Sequence, residues 1–503
     1  MQKPIRRLLL RAALASQLSA CMLGPDYVPP KLDLPKEFKE NKEMPDWKPA
    51  QPRDHVLLGN WWEVFNDSQL NDLAAQVAGA NQSVMQAEAQ YRQAQYLVLT
   101  AQSALSPVGS TTFTTNRFVA ASGQNIAVSG VRNLFSEALS MSWQPDLWGT
   151  VRRQIEANTA NAQASAATMQ ALRLSSQAAL VTAYFQLKTQ DAQIALLTDS
   201  LRAYEKTLAI TRNRYAAGVA GKTDIVQAQT QVETVRAQVV DLGVLRAQYE
   251  HAIAVLIGKA PAELSIPPSP QLSEPPPLPP NLPSELLERR PDIAAAERKI
   301  AAANAQIGVT KAAYYPTFSL GVTDGWQSGF INHLITGAHR YWSLGPGATA
   351  LTLFDGGAKN AQYKQAIANY DAAAAGYKQT VLTAIQQVED NLAALRILQH
   401  EAEVQSGAVQ AANQAVDLTI NQYKAGTVAY LNVLTAQTTA LSNQITAVQL
   451  KGSRLNAATQ LATALGGGWD LKQLPDSSQI GGAIKWTDYL IIPGLDQGDE
   501  HIE

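Results

Sequence analysis

The sequence predicts an α+β membrane protein, mostly long coiled-coil α-helices, with four β-strands per chain that complete a barrel shared between copies. Three observations predict it. The stretch Thr150–Asn213 contains neither proline nor glycine. Short segments elsewhere alternate apolar with small polar residues. Both kinds of segment recur in an internal duplication.

The chain opens MQKPIRRLLLRAALASQLSACMLGPDYVPP. Lys3, Arg6, Arg7 and Arg11 precede or interrupt a short apolar run, Leu8 to Leu18, and small residues follow. This is the layout of an export signal, and it is too short to span a membrane. It ends in Leu18-Ser19-Ala20-Cys21, and Cys21 is the only cysteine in 503 residues. A lone cysteine has no disulfide partner. Leu-Ser-Ala-Cys resembles a lipobox, which makes Cys21 the lipid attachment site; the alternative is an ordinary signal peptide beside a free cysteine. Met22, rather than aspartate, follows it, which in such lipoproteins implies the outer membrane. Several acyl chains, at about 0.8 kcal/mol per buried CH2, anchor firmly.

Cleavage before Cys21 removes four basic residues and no acidic one, moving the formal charge from −2 to −6. That argues against nucleic acid as a partner. After the signal no apolar run approaches the ~18 residues of a transmembrane helix, so a membrane crossing would need strands. The helical stretches favour Ala, Gln, Asn, Ser and Thr over Leu, which suits a wall with water on one side better than a dry core.

The duplication shows as a constant offset of 208, as from Gly149 to Gly357. Tyr215/Tyr423, Gly218/Gly426, Gln229/Gln437, Arg246/Arg454 and Gly258/Gly466 pair at that offset without a gap. Upstream the offset becomes 209, as from Pro107 to Pro316. Each unit reads helix, proline, two alternating segments, long helix, glycine turn, long helix. The Pro-rich stretch Pro261 to Pro283 joins the units as a semi-rigid strap. The expected organisation is a signal (1–20), an extended N-terminal strap (21–60), a first repeat (61–258), a linker (259–283), a second repeat (284–466) and a tail (467–503). The tail carries no readable pattern. Packing around the middle of the helices is the role left for it, and for residues 22–57.

Unbroken, Thr150–Asn213 would be roughly 95 Å long. The returning helix carries a heptad: Ile225, Val232, Val239, Arg246 and Ile253 at one seam position, Ala228, Val235, Leu242, Tyr249 and Leu256 at the other. That spacing predicts antiparallel coiled-coil packing against the first helix.

The strands decide the class. In Phe135–Gln144, Phe135, Leu139, Met141 and Trp143 share a face with Glu137, and Ser136, Ala138, Ser140 and Ser142 share the other. Phe318, Leu320 and Val322 alternate likewise with Ser319, Gly321 and Thr323. One apolar and one small polar face fits a strand with lipid outside and water inside; a half-buried soluble sheet is the alternative. Four strands cannot close a barrel, and an open edge cannot sit in lipid. Strands must come from several copies, and composition does not choose between two copies and three. The same assembly would ring the helices into a tube.

At this point the chain resembles the outer-membrane efflux factors of the TolC/OprM type, in the NodT-like lipoprotein branch. The carrying stretches are CMLGPDYVPP at Cys21, NWWEVFNDSQLNDL at Asn60, WQPDLWGTVRRQIEA at Trp143, RYAAGVAGKTDIVQAQ at Arg214, SELLERRPDIAAAE at Ser284, LFDGG at Leu353 and YKAGTVAYLNVLTAQ at Tyr423. The resemblance implies a homotrimer with a twelve-stranded outer-membrane barrel continuous with a long periplasmic α-barrel. It implies a passive exit duct for drugs or metabolites, fed by an inner-membrane transporter through a periplasmic adaptor. It makes the glycine turns the functional end: Gly218, Val219, Ala220, Gly426 and Thr427 would meet the adaptor. It also implies a periplasmic gate at Thr223, Asp224, Tyr423, Asn432 and Thr435, with Asp224 accepting a hydrogen bond from Tyr423. Val428 stands where the TolC branch has arginine, and Asn432 and Thr435 stand where it has aspartate, so a more neutral constriction is expected.

The six histidines have no metal-ligand spacing, and no phosphate loop or nucleophile motif stands out; no enzyme activity and no cofactor are expected. A protein-secretion duct and a static coiled-coil tether are the remaining alternatives.

Overall fold

The computed structural model describes residues 22–30, 38–40, 60–119, 131–276, 289–345 and 347–482. The signal segment, Cys21, most of the strap, the end of the linker with the start of the second repeat, and the tail beyond 482 lie outside the described residues.

A short helix, α1 (Ser68–Ala80), leads into α2 (Gln82–Ser103). Asp67 caps α1, and Asn81 caps α2 by accepting from the Ser83 and Val84 amides. Strands β1 (Val108–Val119) and β2 (Val131–Trp143) follow. Next come α3 (Thr150–Ala216), an unbroken helix of 67 residues, and α4 (Lys222–Leu256). The second unit repeats this order: α5 (Pro291–Ala312), β3 (Thr317–Ser328), β4 (Arg340–Leu344), β5 (Ala348–Ala350), α6 (Ala358–Ala425) and α7 (Tyr430–Ala464).

Four strands were expected, and five segments are present among the described residues. They form one antiparallel sheet in the order β1-β2-β3-β4, with β5 also paired to β3. Thr317 faces Ala350, and Val322 faces Leu344. From the first pair to the second, β3 advances five residues and its partner retreats six, so the partner path carries one extra residue between Leu344 and Ala348. The fourth strand is therefore one path broken by a bulge. Alternation across the register puts Phe113, Phe135, Leu139, Met141, Val322, Trp326, Trp342 and Leu344 on one face, and Thr112, Ser136, Ser140, Gly321 and Thr323 on the other. On the apolar face the Asp324 carboxylate pairs with Arg340 at 2.8 Å, and Glu137 accepts from Thr111 at 2.6 Å.

No helix among the described residues is long and apolar enough to cross a membrane. The helices hold together in two zones. Midway along α3, Leu180, Tyr184 and Phe185 pack with Trp61, Trp62 and Phe65, with Leu70 and Val77 of α1, and with Leu455 and Leu461 of α7. At about 25 cal/mol per Å2 such aromatic and leucine side chains supply most of the local driving force. The expected heptad seam is present: Ala228, Val232, Val235 and Ile253 are buried, and Ile225, Val239 and Leu242 pack partly buried against the α3 side. Arg246 sits in that seam because Asp191 of α3 receives it at 2.6 Å.

That ion pair also holds the linker. Asp191 accepts from the Ser269 amide (2.9 Å), and Arg246 donates to the Ile266 carbonyl (2.6 Å). At the strand end of α3, buried Arg153 donates to the Leu23 and Gly24 carbonyls and to Asp26. Leu23 donates its amide to the Trp148 carbonyl. The chain just after Cys21 is thus fixed where β2 hands over to α3. In the tail, Trp469 packs on Ala167, Ala294 and Ala295.

Candidate functional site at the helix tips

Each long helical pair turns on a glycine. Gly218 has φ 73 and Gly426 has φ 79, the left-handed region that favours glycine. In the first turn the Gly218 amide donates to the Tyr215 carbonyl (2.9 Å) and the Val219 amide to the Arg214 carbonyl (3.0 Å). In the second, Gly426 donates to Tyr423 and Thr427 to Gln422, both at 3.0 Å. Both are Schellman caps, which satisfy the last helical carbonyls and stop the helix sharply. The Cβ position of Gly218 meets nothing within 4 Å, so conformation, not crowding, demands glycine there. Gly218, Val219, Gly426 and Thr427 are exposed and Ala220 is half-buried.

Behind the tips lies an aromatic cluster. Tyr204 and Leu208 of α3, Ala228 and Val232 of α4, Tyr423 of α6, and Tyr430 and Val433 of α7 are buried together. The Tyr423 and Tyr430 rings meet edge to face, 5.7 Å between centroids. Tyr204 donates to the Gln437 carbonyl (2.9 Å). Burial pushes the Tyr204 and Tyr430 hydroxyls up to about 12, so both stay neutral at ordinary pH. The nearby Asp224 carboxylate adds to the effect on Tyr430.

Tyr423 departs from its expected partner. Its ring is buried inside its own chain, and its hydroxyl donates to Thr211 Oγ1 at 3.5 Å; no hydrogen bond to Asp224 forms within the chain. The reason is packing: Tyr423 and Tyr430 are seven residues apart across a tight turn, which aims both rings into one core. Asp224, half-buried, sits in the first turn of α4, where the helix dipole favours a carboxylate. Thr223, Asn432 and Thr435 are exposed, and the Thr435 hydroxyl donates to the Leu431 carbonyl at 2.9 Å.

Arg214 was not singled out by sequence, although it opens one of the quoted motifs. Its guanidinium lies 4.7 Å from the Tyr423 ring centroid, and Nη1 donates to the Lys424 carbonyl at 2.8 Å. One residue thereby joins the end of α3 to the end of α6. Its Nε is shut from solvent with no hydrogen-bond partner.

A two-faced membrane-type sheet lies at one end of helices about 100 Å long and capped tips at the other, the layout of a protein that meets a membrane through strands and extends away from it on helices. The profile of the family "Outer membrane efflux protein" matches residues 73–259 and again 282–467. The chain is 31% identical over 474 residues to the antibiotic efflux pump outer membrane protein ArpC of Pseudomonas putida, covering 92% of this chain and 96% of ArpC. It is 31% identical over 443 residues to nodulation protein T of Rhizobium leguminosarum bv. viciae, covering 87% and 88%. The solved outer-membrane channel OprN superposes with a TM-score of 0.82 at 28% identity, over 89% of this chain and all of OprN. The chain belongs to the outer membrane efflux protein family, whose members are channels and not enzymes.

Proposed function

We propose that three copies assemble into the exit duct of a tripartite efflux pump, passively conducting drugs or metabolites to the cell exterior and catalysing no reaction. One observation carries the reading: a sheet with one apolar face, both its edges unpaired among the described residues, sits at the opposite end of the same long helices from paired glycine tips. Closing that sheet in lipid requires other copies. Three copies of the four-strand path give a twelve-stranded barrel, with the apolar face toward lipid and the Ser/Thr/Gly face toward water. The two halves of each chain are a duplication, supported by cap bonds that recur at one offset: Lys259 to Ala254 and Gly467 to Ala462, like Val219 to Arg214 and Thr427 to Gln422.

The tips Gly218, Val219, Ala220, Gly426 and Thr427 receive a periplasmic adaptor, which links the duct to an inner-membrane transporter. Thr223, Asp224, Asn432 and Thr435 face neighbouring helix pairs and form the closed entrance, with Tyr423 supporting it from inside each copy. Cys21 carries the lipid anchor. The neighbouring Met22 packs on Gly149 at the strand–helix junction. The naming of ArpC for antibiotic efflux favours small molecules over secreted proteins.

Deleting the gene tests the reading. Cells should accumulate fluorescent drug probes and lose tolerance to them, and re-expression should reverse both. Unchanged accumulation, with loss of secreted proteins from the medium, would favour the secretion duct instead.

A further inference from the structure

The two faces of the sheet divide its charges unequally. On the small polar face Thr114 bonds to Ser136, and Ser140 to Thr323 at 3.4 Å. Glu137, Asp324 and Arg340 stand on the opposite, apolar face, and so does Arg117, which faces Asn133. Across the described strands the polar face is built mainly from Ser, Thr, Gly, Ala, Asn and Gln, with a few larger apolar or aromatic side chains. Arg132, facing Phe118, is the one charged residue on that face among the described residues.

Its place along the strand is equally particular. The helices join the sheet beyond Trp143, and Arg132 lies at the far end, one pair short of the last pairing of the hairpin, Val119 with Val131. At about 3.4 Å per residue that puts it roughly 37 Å along the strand from Trp143. The side chain is exposed and makes no hydrogen bond, ion pair or ring contact among the described residues. Asp324 and Arg340, by contrast, neutralise each other at 2.8 Å. The connections at this end supply no counter-charge, because residues 120–130 and 329–339 contain no Asp, Glu, Lys or Arg.

A solvated arginine at a strand end needs no role by itself. Enclosure changes its effect. On an open surface, salt screens a charge over about 10 Å at 0.1 M. Inside a barrel the screening ions are the permeating ones, and the low-dielectric wall focuses the field into the lumen. Rings of arginine or lysine in a pore favour anions for this reason.

We propose that Arg132, one from each copy, forms a cationic ring at the outer mouth of the duct, favouring anionic solutes on their way out and repelling cations that would enter from outside. The inference rests on the exit duct proposed above and adds the residue that sets its charge preference.

The test measures reversal potentials of full-length protein in planar bilayers, across a gradient from about 0.01 to 0.1 M KCl, where the screening length is roughly 10 to 30 Å. Arg132→Ala, Arg132→Lys and Arg132→Glu are compared with the unaltered chain. Arg117→Ala removes the same charge from the same end on the lipid side. Asp224, at the opposite end, is common to all five proteins, so their differences report the mouth. Amine-reactive cross-linking establishes that each protein assembles. The expected result is a chloride-to-potassium permeability ratio lowered about two-fold or more by Arg132→Ala, lowered further by Arg132→Glu, and kept by Arg132→Lys and Arg117→Ala. The differences should shrink at ~1 M salt, where screening acts over roughly 3 Å. Equal ratios for Arg132→Ala and Arg132→Lys in conducting, assembled protein would overturn the ring and leave the duct standing. So would a shift from Arg117→Ala as large as that from Arg132→Ala. Absence of any conductance from the assembled, unaltered protein would overturn both readings.

Discussion

The guanidinium of Arg214 lies over the ring of Tyr423, 4.7 Å from its centroid, while one of its N–H groups holds the Lys424 carbonyl at 2.8 Å. Each copy presents two hairpin tips, and this residue ties one to the other. Sliding the α3–α4 hairpin away from α6–α7 breaks both contacts at once. A stacked cation is worth about 0.5 to 2 kcal/mol and a charged hydrogen bond about 1.5 to 3 kcal/mol. Arg214→Ala should therefore loosen the tips by roughly 2 kcal/mol. Single-channel currents in planar bilayers should rise for Arg214→Ala and rise less for Arg214→Lys, which keeps the charge but loses the planar fork. Equal currents from all three proteins would remove Arg214 from the closure.

The tip glycines should resist substitution unequally with size. Their left-handed backbone penalises any Cβ by roughly 1 to 2 kcal/mol. Gly426→Ala should fray the end of α6, seen as faster amide exchange at Tyr423 to Ala425. Gly426→Val should add steric cost at the exposed turn and reduce efflux further. Protection unchanged in Gly426→Ala would mean the cap does not control the end of the helix.

Asp191 is buried and holds Arg246, the Ser269 amide and, through Arg246, the Ile266 carbonyl. Removing the acid breaks one of the two ion pairs of Arg246, leaving Glu250 at 3.1 Å, and orphans the Ser269 amide, which together cost about 1 to 3 kcal/mol. Asp191→Ala should lower the unfolding midpoint and open the linker near Ile266–Ser269 to protease. Removing Arg246 as well should cost less than the two single changes added together. Strict additivity would show that the two residues do not act as a pair.

Tyr204 and Tyr430 set an alkaline limit. Their hydroxyls titrate near 12 in the folded chain, against about 10 when unfolded. The folded state binds these protons more tightly, so the stabilisation is complete below pH ~10 and is lost as pH rises from there through ~12. Thermal stability of the tips should be flat with respect to these two groups from pH 6 to 9 and fall above about 10. Tyr430→Phe should flatten part of that alkaline fall. An identical fall in the variant would place its cause elsewhere.

Much of this was legible in the sequence because period and punctuation are local signals. The uninterrupted run after Gly149 predicted α3, the heptad predicted the α4 seam, and two-residue alternation predicted β2 and β3. Even Arg246, an odd residue for a seam, is explained once Asp191 is found opposite it. Three things were not legible. The one-residue offset between β4 and β5 depends on how each meets β3, a register no single strand encodes. The resemblance makes Tyr423 a gate residue, and its packing against Tyr430 and under Arg214 across a turn is carried by no local pattern. Arg214 itself acts on an aromatic ring and on a carbonyl 210 residues away, and pattern reading along one helix does not reach so far. The strap shows the same limit: Arg153 grips Leu23 and Gly24 through their carbonyls, which any residue carries.

The central claim is that the glycine tips are the docking end of an exit duct. A photo-crosslinking residue placed at Val219 or Thr427 in living cells, followed by mass spectrometry of what it captures, tests this most directly. The account predicts capture of a periplasmic adaptor from both positions, lost when the adaptor gene is deleted. Capture of nothing at either tip, by protein shown to be folded in the outer membrane, would contradict tip docking and favour a static tether.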